Sequence, residues 1–231
     1  MLPKLLQTVL RVLLVLAVVV LLPASNVLLL MRPEFIAFEY RRPGVPGSEI
    51  YDPPERMRLS QATVDYINGD DARLLQEGRH ISQLQYMGHP VYNERELQHL
   101  YDVKAVVQGL RWAWAAALFI LLGGLALSAW RRSWRRPYAS GVFLGGALLA
   151  GLIGAIVVVA LLSFDAFFVR FHQVFFAAGT WTFYYEDSLI QFYPLQLWMD
   201  ATYIIGGASL VEALLVAGLS FVCLGRRQRK P

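Results

Sequence analysis

The chain has 231 residues, of which 56% are hydrophobic and only 16% charged, and its mean hydropathy is +0.44. A soluble globular chain carries about a quarter charged residues, so this composition excludes an ordinary soluble domain and indicates a membrane protein. The net charge of +4 sits in short basic clusters beside apolar runs; it reports membrane topology and requires no nucleic-acid partner.

The first span falls within residues 1–31. Its apolar run is too long for the core of a secretory signal and resumes after Pro23, Ser25 and Asn26, so it is expected to stay as an anchor, kinked at the proline. Residues 32–107 form a small extracytoplasmic cap. Its segment Arg41-Arg42-Pro43-Gly44-Val45-Pro46-Gly47 breaks both helix and strand. Ser60 is read as the N-cap of a short helix reaching Ile67, stopped by Asn68-Gly69-Asp70. Alternation over 81–87 predicts a strand, with Gly88-His89-Pro90 as its turn. Asn93 then opens a helix with Glu96 three residues later, a capping box. The stripe Leu97, Leu100, Val103, Val106 and Val107 carries that helix into the second span, 108–130.

A basic loop, 131–137, holds Arg131, Arg132, Arg135 and Arg136, and the third span follows at 138–164. Residues 165–197 form an outer loop expected to lie in the lipid interface, with Asp165, Phe168 and His172 on one face of a continuing helix. Trp181, Phe183, Tyr184 and Tyr185 come next, then Asp187 as a cap for a helix over 188–193. Phe192, Tyr193 and Trp198 complete an aromatic belt of headgroup depth. The fourth span, 198–225, precedes a tail at 226–231 with Arg226, Arg227, Arg229 and Lys230.

Each apolar run meets the ~20 residues a helix needs to cross the hydrocarbon core. The fold expected is an all-α membrane protein, four transmembrane helices with a small mixed α/β extracytoplasmic cap. Lys4, Arg11, the 131–137 loop and the basic tail all fall on one side of an even number of spans, which makes both termini cytoplasmic. The single Cys223 excludes a disulfide framework. The pairs Gly123-Gly124, Gly145-Gly146 and Gly206-Gly207, with Gly151 and Gly154, permit close helix contacts. Glu212, in the middle of the fourth span, is read as a paired, structural carboxyl.

This topology puts His99 and His172 on the same outer side, at matching heights beside neighbouring spans. Imidazole is the side chain best suited to give and take protons near neutral pH, so the pair is the candidate catalytic site, with imidazoles within about 8 Å of each other by helix register. Glu96, Asp102 and Asp165 are candidate supporting carboxylates, each three to seven residues from a histidine and able to hold its tautomer. His80 and His89 raise a three-histidine zinc site, but their spacings match no compact ligand motif. From the residues alone, an enzyme doing proton-transfer chemistry on a lipid-linked substrate and a non-enzymatic membrane protein whose cap binds lipid or a partner protein both remain open.

The stretch Asn93-Glu94-Arg95-Glu96-Leu97-Gln98-His99-Leu100-Tyr101-Asp102-Val103-Lys104 resembles a segment of the bacterial lipoprotein intramolecular transacylase (Lit) family. A second stretch, Phe171-His172 with Phe175-Phe176, Trp181, Phe183, Asp187, Leu189-Ile190 and Pro194, resembles the family's other signature, and order and flanking spans agree along the chain. The resemblance implies a bacterial cell-membrane enzyme that moves the sn-2 acyl chain of a diacylglyceryl-cysteine lipoprotein to its own N-terminal amine. It places the two essential histidines on His99 and His172, at the outer leaflet. It implies lipoproteins and membrane lipid as partners and requires no metal or cofactor; a monomer is expected. His172 is assigned as the base and His99 as its partner, polarising the carbonyl or reprotonating glycerol.

Overall fold

A computed structural model describes residues 2–225; the basic tail with Arg226, Arg227, Arg229 and Lys230 lies outside the described residues. The chain divides into two compact units: Met1–Val27, Leu110–Leu162 and Tyr203–Pro231 form one, and Leu28–Gly109 with Ser163–Thr202 the other. Its helices are α1 (Leu2–Leu30), α2 (Pro33–Glu39), α3 (Pro53–Asn68), α4 (Asp71–Gln76), α5 (Glu94–Trp130), α6 (Arg135–Leu162), α7 (Phe164–Phe175), α8 (Ser188–Phe192) and α9 (Leu195–Gly225).

The first unit is built from α1, α6 and the long apolar stretches of α5 and α9, four helices long and apolar enough to cross a membrane. At 1.5 Å per residue, the 37 residues of α5 extend well past a ~30 Å hydrocarbon core, so its polar N-terminal turns stand clear of the span. Large apolar side chains such as Phe119, Leu161 and Leu219 are exposed, as lipid-facing positions must be. Close packing centres on the glycines of α6. A methyl on Gly145 would meet Val18 Cβ at 2.8 Å and Val15 O at 3.1 Å, and one on Gly146 would meet Ala213 O at 2.8 Å. Gly141, which the sequence pattern did not single out, is as tight against Leu14 of α1, while Gly123, Gly151, Gly154 and Gly207 meet nothing and do not serve as contacts. The connection between α5 and α6 is shorter than expected. A 3₁₀ turn at Arg132–Trp134 leads directly into α6 at Arg135, whose Nε donates to Ser128 O at 3.0 Å and satisfies a terminal carbonyl of α5. α1 runs unbroken through Pro23. Glu212 has its partner: Asn26 Nδ2 donates to Glu212 Oε2 at 3.0 Å and to Ser209 Oγ at 3.1 Å, tying α1 to α9.

The second unit has its own core, with Ile36, Leu59, Tyr66, Ile81, Tyr92, Leu100, Leu189, Phe192 and Leu197 among its members. Here the local expectations fared unevenly. Ser60 is not a cap but a buried mid-helix residue whose hydroxyl donates to Met57 O. Asp52 caps the helix instead, accepting from Glu55 N at 3.0 Å ahead of Pro53 and Pro54, since proline tolerates the first helical turn, where its missing N–H costs nothing. The strand expected over 81–87 is reduced to a 3₁₀ turn, Ile81–Gln83, and a two-residue strand β1 (Gln85–Tyr86). β1 pairs antiparallel with β2 (His89–Pro90), Tyr86 opposite His89. The turn is therefore Met87-Gly88, both at positive φ (49° and 82°), as tight hairpins require. The irregular 41–47 segment holds, and the capping box closes in both directions: Glu96 N donates to Asn93 Oδ1 at 3.1 Å and Asn93 N to Glu96 Oε2 at 2.9 Å. α7 does not continue the third span. α6 ends at Leu162, Ser163 turns extended (φ −157°, ψ 96°), and its hydroxyl caps a separate helix by accepting from Ala166 N. Asp187 does stand at the N-cap of α8, but its carboxylate bonds other groups.

Candidate functional site

Both histidines belong to the second unit, His99 on the N-terminal part of α5 and His172 on the last turn of α7. Three connections set the stage around them. Glu96 accepts from Leu189 N at 2.8 Å through its second oxygen, so the capping carboxylate also fastens α8 to the start of α5. Asp187 accepts from Asn93 Nδ2 (2.8 Å), Arg95 Nη2 (2.7 Å) and Tyr184 N (2.7 Å). The guanidinium of Arg95 in turn lies over the rings of Phe183 and Tyr184, at 5.6 and 4.9 Å, a cation–π arrangement. From the far side of α8, Arg56 Nε donates to Gln191 O and the Tyr193 hydroxyl donates to Ser60 O, each at 2.8 Å. The loop between α7 and α8 is thus held by its far end, which presents Phe183 to His99 at a ring distance of 5.3 Å.

The imidazoles stack, with ring centres 6.2 Å apart and planes 23° from parallel, inside the ~8 Å expected from helix register. Aromatic rings enclose them. Phe176 lies 4.8 Å from His99 and 5.6 Å from His172, Phe168 lies 4.0 Å from His172, and Trp181 lies 5.0 Å from His172. Only 9% of His99 is exposed. Burial pushes its pKa down to about 4; the neighbouring His172 also lowers it, and Asp102 raises it in part. His172 is lowered too, by burial, partly offset by a backbone hydrogen bond. Both rings are therefore neutral near pH 7.

The backbone fixes one tautomer. His172 Nδ1 lies 2.8 Å from Phe168 O, and a carbonyl can only accept, so Nδ1 carries the proton and donates. The lone pair is then on Nε2, which is left free to act as a base. His99 Nδ1 is buried without a hydrogen-bond partner.

The expected carboxylate support is arranged differently. Glu96, 1% exposed, spends both oxygens on Asn93 and Leu189 and orients no imidazole. Asp102 accepts from Gln98 Nε2 at 2.9 Å and reaches His99 only through space. Asp165 is exposed at the start of α7, and no hydrogen bond to His172 is made from it among the described residues. The orienting acceptor of His172 is a main-chain carbonyl one turn back, which no side-chain pattern signals. Arg95 with Asp187 is the other feature the sequence concealed, because the partners are 92 residues apart. His80 lies elsewhere: its Nδ1 accepts from Ser82, its ring meets Tyr66 edge-on at 4.9 Å, and His89 is exposed on the hairpin.

Comparison with known proteins gives a consistent result. The family model described as lipoprotein intramolecular transacylase Lit matches residues 10–198. An uncharacterized protein of Aquifex aeolicus is 27% identical over 191 residues, covering 79% of this chain and 80% of that one. The solved structure of the membrane-integral lipoprotein intramolecular transacylase Lit from Bacillus cereus is similar over 97% of this chain and 99% of its own, with a TM-score of 0.62 at 16% identity. A histidine-to-arginine variant of that protein gives a TM-score of 0.60 at 14% identity, over 98% of this chain and 95% of its own.

Proposed function

Since the chain belongs to the lipoprotein intramolecular transacylase family, Lit, we propose that it moves the sn-2 acyl chain of a diacylglyceryl-cysteine lipoprotein to the α-amine of that cysteine, by acid–base catalysis at His99 and His172. The observation that carries this reading is the stacked, neutral imidazole pair 6.2 Å apart in an aromatic enclosure.

The chemistry follows from the proton inventory. The α-ammonium gives a proton to Nε2 of His172, and the freed amine attacks the ester carbonyl carbon. A C–N bond forms and the carbonyl π pair moves to oxygen. The adduct nitrogen then gives up a second proton, the carbonyl re-forms, and the bond to the glycerol oxygen breaks. That oxygen takes one proton through the imidazole pair, leaving an amide, a glycerol hydroxyl and one proton released to water. His99, the more buried ring, polarises the carbonyl or passes that proton. Donor and acceptor are parts of one molecule, so holding them in attack geometry supplies much of the acceleration, and an aromatic enclosure disfavours competing hydrolysis. Both termini are cytoplasmic in this reading, the site opens to the outer leaflet, and the chain acts as a monomer.

Expression in a bacterial strain lacking its own lipoprotein N-acylation tests the proposal. Mass spectrometry of lipoprotein N-termini should show lyso-form, N-acylated cysteine with the wild-type chain and none with His172→Ala. Unmodified N-termini with a well-expressed wild-type chain would refute it.

A further inference from the structure

Beside the histidine pair is a second orphan. Trp181 Nε1 is buried and has no hydrogen-bond partner, and its ring is 5.0 Å from His172 at 33°. Trp is a donor only, and a buried N–H is nearly always paired, so an unpaired one beside two imidazoles needs an explanation. The neighbouring imidazole does not pair with it: His172 Nδ1 is committed to Phe168 O, and the indole N–H makes no bond to the free Nε2. The phenyl rings around His172, those of Phe168, Phe171 and Phe176, carry no acceptor. The loop bearing the indole is tied three residues on, where Tyr184 N donates to Asp187, the partner of Arg95, and the indole ring itself packs on His172. A preorganised donor aimed at charge that exists only during reaction is what stabilises an oxyanion.

We infer that the indole N–H of Trp181 donates to the carbonyl oxygen of the ester attacked at the His99–His172 pair, stabilising the negative charge on that oxygen in the tetrahedral adduct. The inference rests on the acyl-transfer reading of that pair. In the step concerned, the amine nitrogen bonds to the carbonyl carbon, the π pair moves to oxygen, and the hydrogen bond from Nε1 strengthens as that charge grows. It relaxes when the carbonyl re-forms and the glycerol oxygen leaves with its proton. Trp181 exchanges no proton, which leaves both imidazoles free for acid–base work.

The test uses the full-length protein in lipid nanodiscs and a long-chain alkyl phosphonate monoester, a stable tetrahedral anion. Binding of this probe, and turnover of a synthetic diacylglyceryl lipopeptide, are compared for the wild type, for Trp181→Phe, and for a chain with 3-benzothienylalanine at 181, which keeps the shape and replaces the N–H by sulfur. The expected result is at least tenfold weaker phosphonate binding in both altered chains. It includes a fall in kcat of about 100-fold with little change in KM, the effect of losing one oxyanion donor. The indole ¹⁵N–¹H signal missing from Trp181→Phe should move downfield when phosphonate binds to the wild type. Unchanged affinity with a stationary signal overturns the inference, as does loss in Trp181→Phe alone, which would report packing. Tryptophan-dependent phosphonate binding without lipopeptide turnover would retain the donor and refute the lipoprotein substrate. Turnover with tryptophan-independent binding would do the reverse.

Discussion

At the scale of single residues, the proposed mechanism depends on keeping His172 neutral with its lone pair on Nε2. Phe168 O holds the tautomer, and burial lowers the pKa of both rings, that of His99 to about 4. A base must be unprotonated to act, and depressed values move its protonation to lower pH. The enzyme's acid limb in kcat/KM should therefore lie below the ordinary imidazole value of ~6.5, once ionisation of the substrate amine is measured separately. A limb at or above that value would contradict the geometry. The same shifts make stability pH-dependent. Below ~6.5 the unfolded chain binds protons that the folded histidines refuse, so stability should fall as pH drops toward about 4. Glu96 carries a structural load instead. Glu96→Gln would turn an amide NH₂ toward a backbone N–H of Asn93 or Leu189, both of which now donate to the carboxylate. Denaturation of the purified variant should show a loss of about 1–3 kcal/mol, with residual turnover above that of His172→Ala.

At the scale of elements, local signals were legible where one chain segment decides the outcome. Asn93 with Glu96 marked the start of α5, and the apolar stripe that follows marked its course into the span. The same logic failed at Ser60, where Asp52-Pro53-Pro54 was the stronger start signal, and at 81–87, where alternation has too few residues to outweigh a tight hairpin. α2 and α4 passed unread because short helices carry little periodicity. The break at Ser163 was hidden for a related reason: apolar residues run on through it, and only the serine cap separates α6 from α7. Glycine contacts need tertiary partners, so sequence could nominate them but not choose among them. Gly146→Ala should therefore destabilise the bundle by about 2 kcal/mol or more, since its methyl would meet backbone of α9 at 2.8 and 3.0 Å. Gly151→Ala, which meets nothing, should be neutral or slightly stabilising through helix propensity. Thermal melts in detergent distinguish the two; equal effects would contradict the packing described.

At the scale of the whole molecule, four apolar helices and basic connections were readable because the bilayer permits so few solutions. Orientation is tested in a Cys223→Ser background. A cysteine at Ser133 should react with an impermeant reagent only after the cells are opened, and one at Gly47 should react in intact cells. The reverse pattern would put the histidines on the wrong side for a lipoprotein exposed at the outer leaflet. The closeness of His99 and His172 was expected from their position beside neighbouring spans, although the helix carrying His172 breaks at Ser163 instead of continuing the third span. The tautomer, the Arg95–Asp187 tie and the unpaired Trp181 were not legible, because each depends on chain segments folded against one another. The most direct test of the central claim is tandem mass spectrometry of a synthetic diacylglyceryl lipopeptide after incubation with the purified protein. An intramolecular transfer leaves the total mass unchanged, moves one acyl chain to the N-terminal fragment and frees a glycerol hydroxyl. That outcome is predicted for the wild type and should be absent with His99→Ala and His172→Ala. An untouched lipopeptide, or equal conversion by the two histidine variants, would contradict it.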